Sequence, residues 1–202
     1  MNSFALGLTR YWDADSLHTL AGVRVGFAGC GGLGSNGAML LARSGLEHFV
    51  LVDDDVVDAS NLNRQHFFPA HLGRFKVDAL AEQLRDLNPA IEVCCYPCRL
   101  TEQTLPEMLS KAEVWVEALD DAGMKCRFVE ACLAASRFVV SASGIAGFGG
   151  PPMRQKVLGQ KLVLVGDFTT DIAHAPPLAP RVMQAAALQA DAVLAYILRP
   201  PE

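Results

Sequence analysis

The chain has 202 residues, 51% of them hydrophobic, and a formal net charge of −5. That length fits one domain with enough chain to bury a substantial core, so 1–202 is expected to be a single unit. The acidic balance argues against nucleic acid or an anionic membrane surface as partner, no apolar run is long enough to span a bilayer, and the first residues lack a signal-peptide pattern.

In chain order, residues 1–22 read as an N-terminal helical arm, with Asp13 or Asp15 as cap. Val23–Ala28 is a short apolar run ending in glycine, expected as a buried strand. Ser35–Ser44 reads as a helix, and Gly45 suits the left-handed residue beyond its end. Phe49–Val52 is a second strand. Asp54–Gly73 is a polar connection of a length that usually signals function. Arg74–Leu87 is amphipathic, with Val77, Leu80, Ala81, Leu84 and Leu87 at helical spacing, and Asn88-Pro89 stops it. Ile91–Cys95, Glu113–Ala118 and Phe138–Ala142 read as strands three to five, separated by helices over Thr101–Leu109 and Met124–Ala135. Gly144–Pro152 is too rich in glycine and proline for regular structure. Met153–Leu158 and Lys161–Val165 flank Gly159-Gln160 as a hairpin. After the irregular segment 167–180, Arg181–Leu198 reads as an apolar docking or dimer helix carrying Gln184, Gln189 and Asp191. The alternation predicts an α/β, Rossmann-like, doubly wound and mainly parallel sheet, with antiparallel strands added at the C-terminal edge. In such sheets ligands bind beyond the carboxyl ends of the strands.

Three features lie at predicted strand ends. Gly29-Cys30-Gly31-Gly32-Leu33-Gly34 follows a strand and opens a helix. Its glycines permit a tight turn and close backbone approach, and the helix start offers free N–H groups to phosphate. Asp53 follows at about the 20-residue separation expected of a ribose-binding carboxylate. This unit implies a nucleotide and leaves dinucleotide and ATP open. The loop beyond it carries Ser60-Asn61-Leu62-Asn63-Arg64-Gln65 and ends in Gly73-Arg74-Phe75-Lys76. Arg64 and Lys76 beside a nucleotide suit a triphosphate better than a nicotinamide dinucleotide, although each taken alone reads as a solvated surface charge. Asp120 and Asp121 end the fourth strand. Asp120 is the candidate Mg²⁺ ligand; Asp121 is either a nucleotide contact or a helix cap.

With Gly29–Ser35 (GCGGLGS), Val52–Val56 (VDDDV), Ser60–Gln65 (SNLNRQ), Gly73–Lys76 and Leu119–Asp121 in place, the chain resembles the ThiF/MoeB/HesA superfamily, related to ubiquitin activators. The resemblance covers most of the chain and is greatest to the short adenylyltransferases of ThiS-type sulfur carriers. It implies ATP with Mg²⁺ as cofactors, Gly29, Gly31, Gly32 and Gly34 as the nucleotide loop, and Asp53 on the ribose. It further implies Ser60, Asn61 and Arg64 in the pocket, Lys76 at the phosphates, Asp120 on the metal, a homodimer, and Arg10 as an arginine offered to the partner subunit. The carrier's Gly-Gly tail would thread along Gly144–Pro152. The implied reaction is attack of that tail's carboxylate on the α-phosphorus, in thiamine biosynthesis. The same chemistry on a molybdopterin-synthase carrier, a tRNA-bound carboxylate or a peptide is the alternative. An NAD-binding oxidoreductase or a non-catalytic scaffold are readings of another class.

Cysteine use departs from many relatives. The six cysteines in a domain that needs no disulfide staples point to a reducing compartment, hence a cytoplasmic location. The only CxxC is Cys95–Cys98, so a four-cysteine zinc site is not expected. Cys126 and Cys132 read as core residues, and no cysteine follows Cys132 to capture the carrier covalently.

Overall fold

The computed structural model describes residues 2–199. The N-terminal arm holds two helices, α1 (Ser3–Leu8) and α2 (Ala14–Gly22), capped by Asn2 and by Asp13. Met1, the start of the expected arm, lies outside the described residues. Strand β1 (Arg24–Ala28) leads through the glycine loop into α3 (Gly32–Arg43), and Gly45 turns the chain at φ 109°. Helix α3 starts three residues earlier than its propensity suggests, because tertiary contacts hold its two early glycines in helical form. β2 (His48–Val52) opens the long connection, which contains two 3₁₀ turns at Ala59–Asn61 and Pro69–His71. There follow α4 (Lys76–Leu87), β3 (Glu92–Tyr96), α5 (Leu105–Leu109), β4 (Val114–Glu117), α6 (Ala122–Ala134) and β5 (Phe138–Ala142). The chain ends in β6 (Arg154–Leu158), β7 (Leu162–Gly166) and α7 (Ala179–Leu198).

The helix expected over Thr101–Leu109 is confined to α5. Thr101 N–H donates to Thr104 Oγ1 at 2.9 Å, and Thr104 Oγ1 donates back to the Thr101 carbonyl at 3.2 Å. These short side-chain bonds compete with the helix, which starts only beyond them, with Pro106 in its first turn.

The seven strands form one sheet in the order β3-β2-β1-β4-β5-β7-β6. Every neighbouring pair is parallel except β6 with β7. The antiparallel pairing at the C-terminal edge is therefore that of the hairpin itself, since β7 runs parallel to β5. The order reverses between β1 and β4, so the loops after these strands flank the switch point.

Alternation along the strands divides the core in two. Phe27, Phe49, Leu51, Val116 and Val140 face α3, α4 and α7; Val50, Trp115 and Val139 face α5 and α6. Gly26 gives the Trp115 ring its room, since a Cβ there would sit 2.5 Å from it. Helix α7 lies along α3 and buries Val182, Ala185, Ala186, Ala190 and Val193. The predicted docking helix thus docks within its own chain. Two of its polar residues do likewise, while Gln184 is exposed: Gln189 Nε2 donates to the Glu117 carbonyl at 2.9 Å, and Gln155 Nε2 donates to Asp191 at 3.3 Å. Among the described residues no helix is long and apolar enough to cross a membrane.

Candidate functional site

The glycine loop turns tightly where β1 ends. Gly29 has φ 97°, and a Cβ on it would lie 2.6 Å from the Ala118 carbonyl at the end of β4. A Cβ on Gly34 would lie 1.9 Å from the Gly29 carbonyl oxygen, so the first turn of α3 closes directly on the loop backbone. Gly32 faces Val182 of α7, whose Cγ1 would stand 2.8 Å from an added Cβ. Gly31 is more open: only Gln65 Nε2, at 3.7 Å, would come near. The first N–H groups of α3 have no helical acceptor, as at every helix start. The loop thus has the tight turn and close backbone packing expected of it, with the start of α3 beside it.

Asp53 ties this loop to β2. Its Oδ2 accepts the Cys30 N–H at 2.6 Å, and its Oδ1 accepts the Asp55 N–H at 2.8 Å. Burial pushes the Asp53 carboxyl above the usual carboxylate range, against the pull of the Cys30 amide and the Lys76 charge. Burial, with Asp53 beside it, also raises the Cys30 thiol well above its ordinary range, so this cysteine is inert in the loop.

The long connection folds back onto the same place. Asn36, in α3, donates through Nδ2 to the Gly32 carbonyl at 2.7 Å and to the Arg64 carbonyl at 2.8 Å. Ser35 Oγ donates to the Gly31 carbonyl at 2.6 Å and accepts the His66 N–H at 2.9 Å. The Arg64 stem lies against Gly32, while its guanidinium donates to Asn63 Oδ1 at 2.8 Å and to the Ser60 carbonyl at 3.2 Å. Asn61 Oδ1 accepts the Asp58 N–H at 3.0 Å, which closes the first 3₁₀ turn. Ser60 is exposed beside it. A bridge between Val56 and Phe75 brings the ends of the connection together. It delivers Lys76 to Asp55, with Nζ to Oδ2 at 2.5 Å. The Lys76 side chain is only 7% exposed, whereas that of Asp55 is 64% exposed.

The structure thus brings Gly29–Gly34, Asp53, Arg64 and Lys76 to the carboxyl ends of β1 and β2. Asp120 is exposed in the turn after β4, beyond the Ala118 carbonyl that abuts Gly29. Asp121 is a cap: its Oδ1 accepts the Met124 N–H at 2.6 Å and starts α6. Among the described residues, the carboxylates of Asp53, Asp54 and Asp55 lie together, within 4.8 Å of one another. Arg10 is exposed on the arm, and among the described residues no side-chain hydrogen bond or ion pair joins it to this site. Cys95 Sγ donates to the Val77 carbonyl at 3.5 Å. Cys132 is buried and its thiol is pushed up to about 12 by burial, but Cys126 is exposed, contrary to its reading as core.

Two buried charge networks were not found by sequence reasoning. Glu117, fully buried in β4, accepts the Leu119 N–H at 2.7 Å, Lys125 Nζ at 2.5 Å and Ser141 Oγ at 2.6 Å. It shapes the turn that carries Asp120. A carboxylate inside the apolar run Val114–Ala118 was the available signal, because such a group demands a buried partner. The second network joins Asp167, fully buried after β7, to Arg181 of α7 by an ion pair. Burial opposes ionisation of Asp167, but hydrogen bonds from Thr170 and Thr169 hold its carboxyl far below the usual range. A folded value below the unfolded one contributes stability above about pH 4, and that contribution is lost as pH falls toward the folded value. Urea midpoints of the parent protein and Asp167→Asn are expected to differ at neutral pH and to converge in acid. A gap constant between neutral pH and pH 2 would refute this.

The sequence pattern of the ThiF family matches residues 5–201. The sulfur carrier protein ThiS adenylyltransferase of Escherichia coli is 34% identical over 140 residues, which are 69% of this chain and 55% of that protein. The adenylyltransferase and sulfurtransferase MOCS3 of Bos taurus is 40% identical over 127 residues, 62% of this chain and 28% of that protein. The chain thus matches about half or less of the length of these curated relatives. In fold, it superposes on E. coli tRNA N6-threonylcarbamoyladenosine dehydratase, TcdA, in complex with ATP, with a TM-score of 0.84 at 21% identity. That match covers 95% of this chain and 92% of that one.

Proposed function

This chain belongs to the ThiF family, and from that premise we propose that it adenylylates the C-terminal Gly-Gly carboxylate of a small ThiS-like sulfur carrier. The observation that carries the reading is the convergence of the glycine cradle, Asp53, Arg64 and Lys76 at one end of the sheet. A dinucleotide would find the loop and Asp53 useful but would leave the two cations without a role.

In this reading Gly29, Gly31, Gly32 and Gly34 let the backbone approach the nucleotide, Asp53 accepts from the ribose, and Ser60 and Asn61 line the pocket. Arg64 and Lys76 neutralise the phosphates, and Asp120 is the residue that would hold Mg²⁺, an ion that prefers oxygen ligands and would add positive charge at the phosphates. The acceptor carboxylate is ionised at neutral pH, so no general base is needed. Its oxygen bonds to the α-phosphorus as the bond to pyrophosphate breaks, leaving an acyl-adenylate. The protein contributes alignment and fixed positive charge. A homodimer with Arg10 reaching the neighbouring site, and no zinc, complete the reading.

ATP–pyrophosphate exchange that appears only when a Gly-Gly-tailed carrier is added is the expected result. Intact ATP binding without exchange would overturn the proposal. The TcdA likeness, which spans nearly all of both chains, favours a second reading in which a tRNA-bound carboxylate is the acceptor. Exchange assayed side by side with carrier and tRNA separates the two.

A further inference from the structure

The ion pair of Asp167 and Arg181 sits where four segments meet. Asp167 Oδ1 accepts the N–H groups of Thr169 and Thr170, both at 2.8 Å, and Oδ2 accepts Thr170 Oγ1 at 2.7 Å. Thr170 Oγ1 in turn accepts the Ala146 N–H at 3.1 Å. Arg181 donates through Nη2 to Asp167, and through Nη1 to the carbonyls of Gly149 at 3.2 Å and Pro151 at 3.1 Å. Arg181 is only 4% exposed. Gly144 is pressed so close that an added Cβ would lie 2.2 Å from Asp167 Oδ1. Both ends of the glycine-rich segment 144–152 are therefore held by one buried pair.

Three facts give this pair a meaning beyond packing. Segment 144–152 leaves the carboxyl end of β5, and β5, β4 and β1 are parallel neighbours, so it lies on the edge of the sheet that carries the glycine loop. The residue after Arg181 is Val182, whose methyl covers Gly32. The same turn of α7 therefore touches the nucleotide loop and grips segment 144–152. Finally, a buried ion pair is weak evidence for stability, because apolar residues of similar volume often replace one at no loss. Its specific product here is the aim of the Gly149 and Pro151 carbonyls and the fixed course of the backbone between them.

We propose that Arg181 and Asp167 are positioning residues that hold segment 144–152 as a rigid wall for the acceptor's extended tail, in register with the nucleotide loop. This rests on the carboxylate-acceptor reading above. A glycine tail has no side chains to grip, so its alignment depends on backbone held in place around it, and small misplacements cost rate steeply.

The test uses Arg181→Met, and the double variant Asp167→Leu/Arg181→Met, which leaves no unpaired buried charge. The expected result is folded protein with ATP affinity within about twofold of the parent, a carrier KM in exchange raised at least about tenfold, and faster amide hydrogen exchange confined to 144–152. Arg181→Lys, which keeps the charge but loses the two-carbonyl fork, should fall between. A folded double variant with parental carrier KM and parental hydrogen exchange in 144–152 overturns the proposal. If the parent itself shows no exchange with any carrier, the acceptor reading fails, and hydrogen exchange in 144–152 alone decides whether the pair holds the segment.

Discussion

Lys76→Ala is expected to lower ATP–pyrophosphate exchange by about 10²–10³-fold, the cost typical of removing one preorganised charge from a phosphoryl or acyl transfer site. The two partners of the Lys76 ion pair are unequally exposed. The lysine side chain is 7% exposed and its partner Asp55 is 64% exposed. Here a buried cation is aimed outward at a carboxylate that water already reaches, next to Asp53 and the glycine loop. In the variant Asp55 stays hydrated, so little stability should be lost; a pair with one partner this exposed contributes about 1 kcal/mol or less. The measurement is exchange rate, ATP affinity and urea midpoint on one preparation. A large loss of exchange with a small change in midpoint is the expected pattern. A lowered midpoint with unchanged exchange would make Lys76 a structural residue and remove it from the site.

Gly34→Ala should abolish measurable nucleotide binding. The added Cβ would stand 1.9 Å from the Gly29 carbonyl oxygen. Backbone on both sides cannot yield unless the loop opens, and overpacking of this kind costs roughly 1–3 kcal/mol or more. Opening the loop also moves the Cys30 N–H away from Asp53, which separates the two halves of the cradle. Gly32→Ala provides the contrast. Its Cβ meets the tip of the Val182 side chain at 2.8 Å, so Gly32→Ala combined with Val182→Ala should recover most of the binding that Gly32→Ala alone loses. Gly34→Ala should gain nothing from Val182→Ala. Binding measured by titration calorimetry, with melting curves to confirm folding, separates the cases. Equal rescue of both glycine variants would show that the loop is tuned by bulk alone.

The sequence alone reaches surprisingly far where the relevant physics is local. Turn glycines, a helix start and an acidic strand end lie within one strand–loop–helix–strand unit, so Gly29–Gly34 with Asp53 is legible from spacing. Short apolar runs likewise place β1, β2, β4 and β5 within a residue or two. Legibility fails where local signals compete. The Thr101–Thr104 side-chain bonds shorten a predicted helix, and Cys126 faces solvent because the face of α6 is chosen by what packs on it.

Tertiary structure decides what distant charges do. Lys76 reaches Asp55 because the Val56–Phe75 bridge closes a long loop, and that bridge follows no period in the chain. Glu117 is tolerable inside β4 only because β5 supplies Ser141 and α6 supplies Lys125. Arg181 reads as one more residue of an apolar helix until β7 brings Asp167 beneath it. Periodicity, turn chemistry and the residue types at the strand ends are local properties of the chain, since they depend on neighbours a few positions away. The pairing of buried charges was decided by the strand order, because the cost of burying a charge is offset only by a partner that the topology delivers.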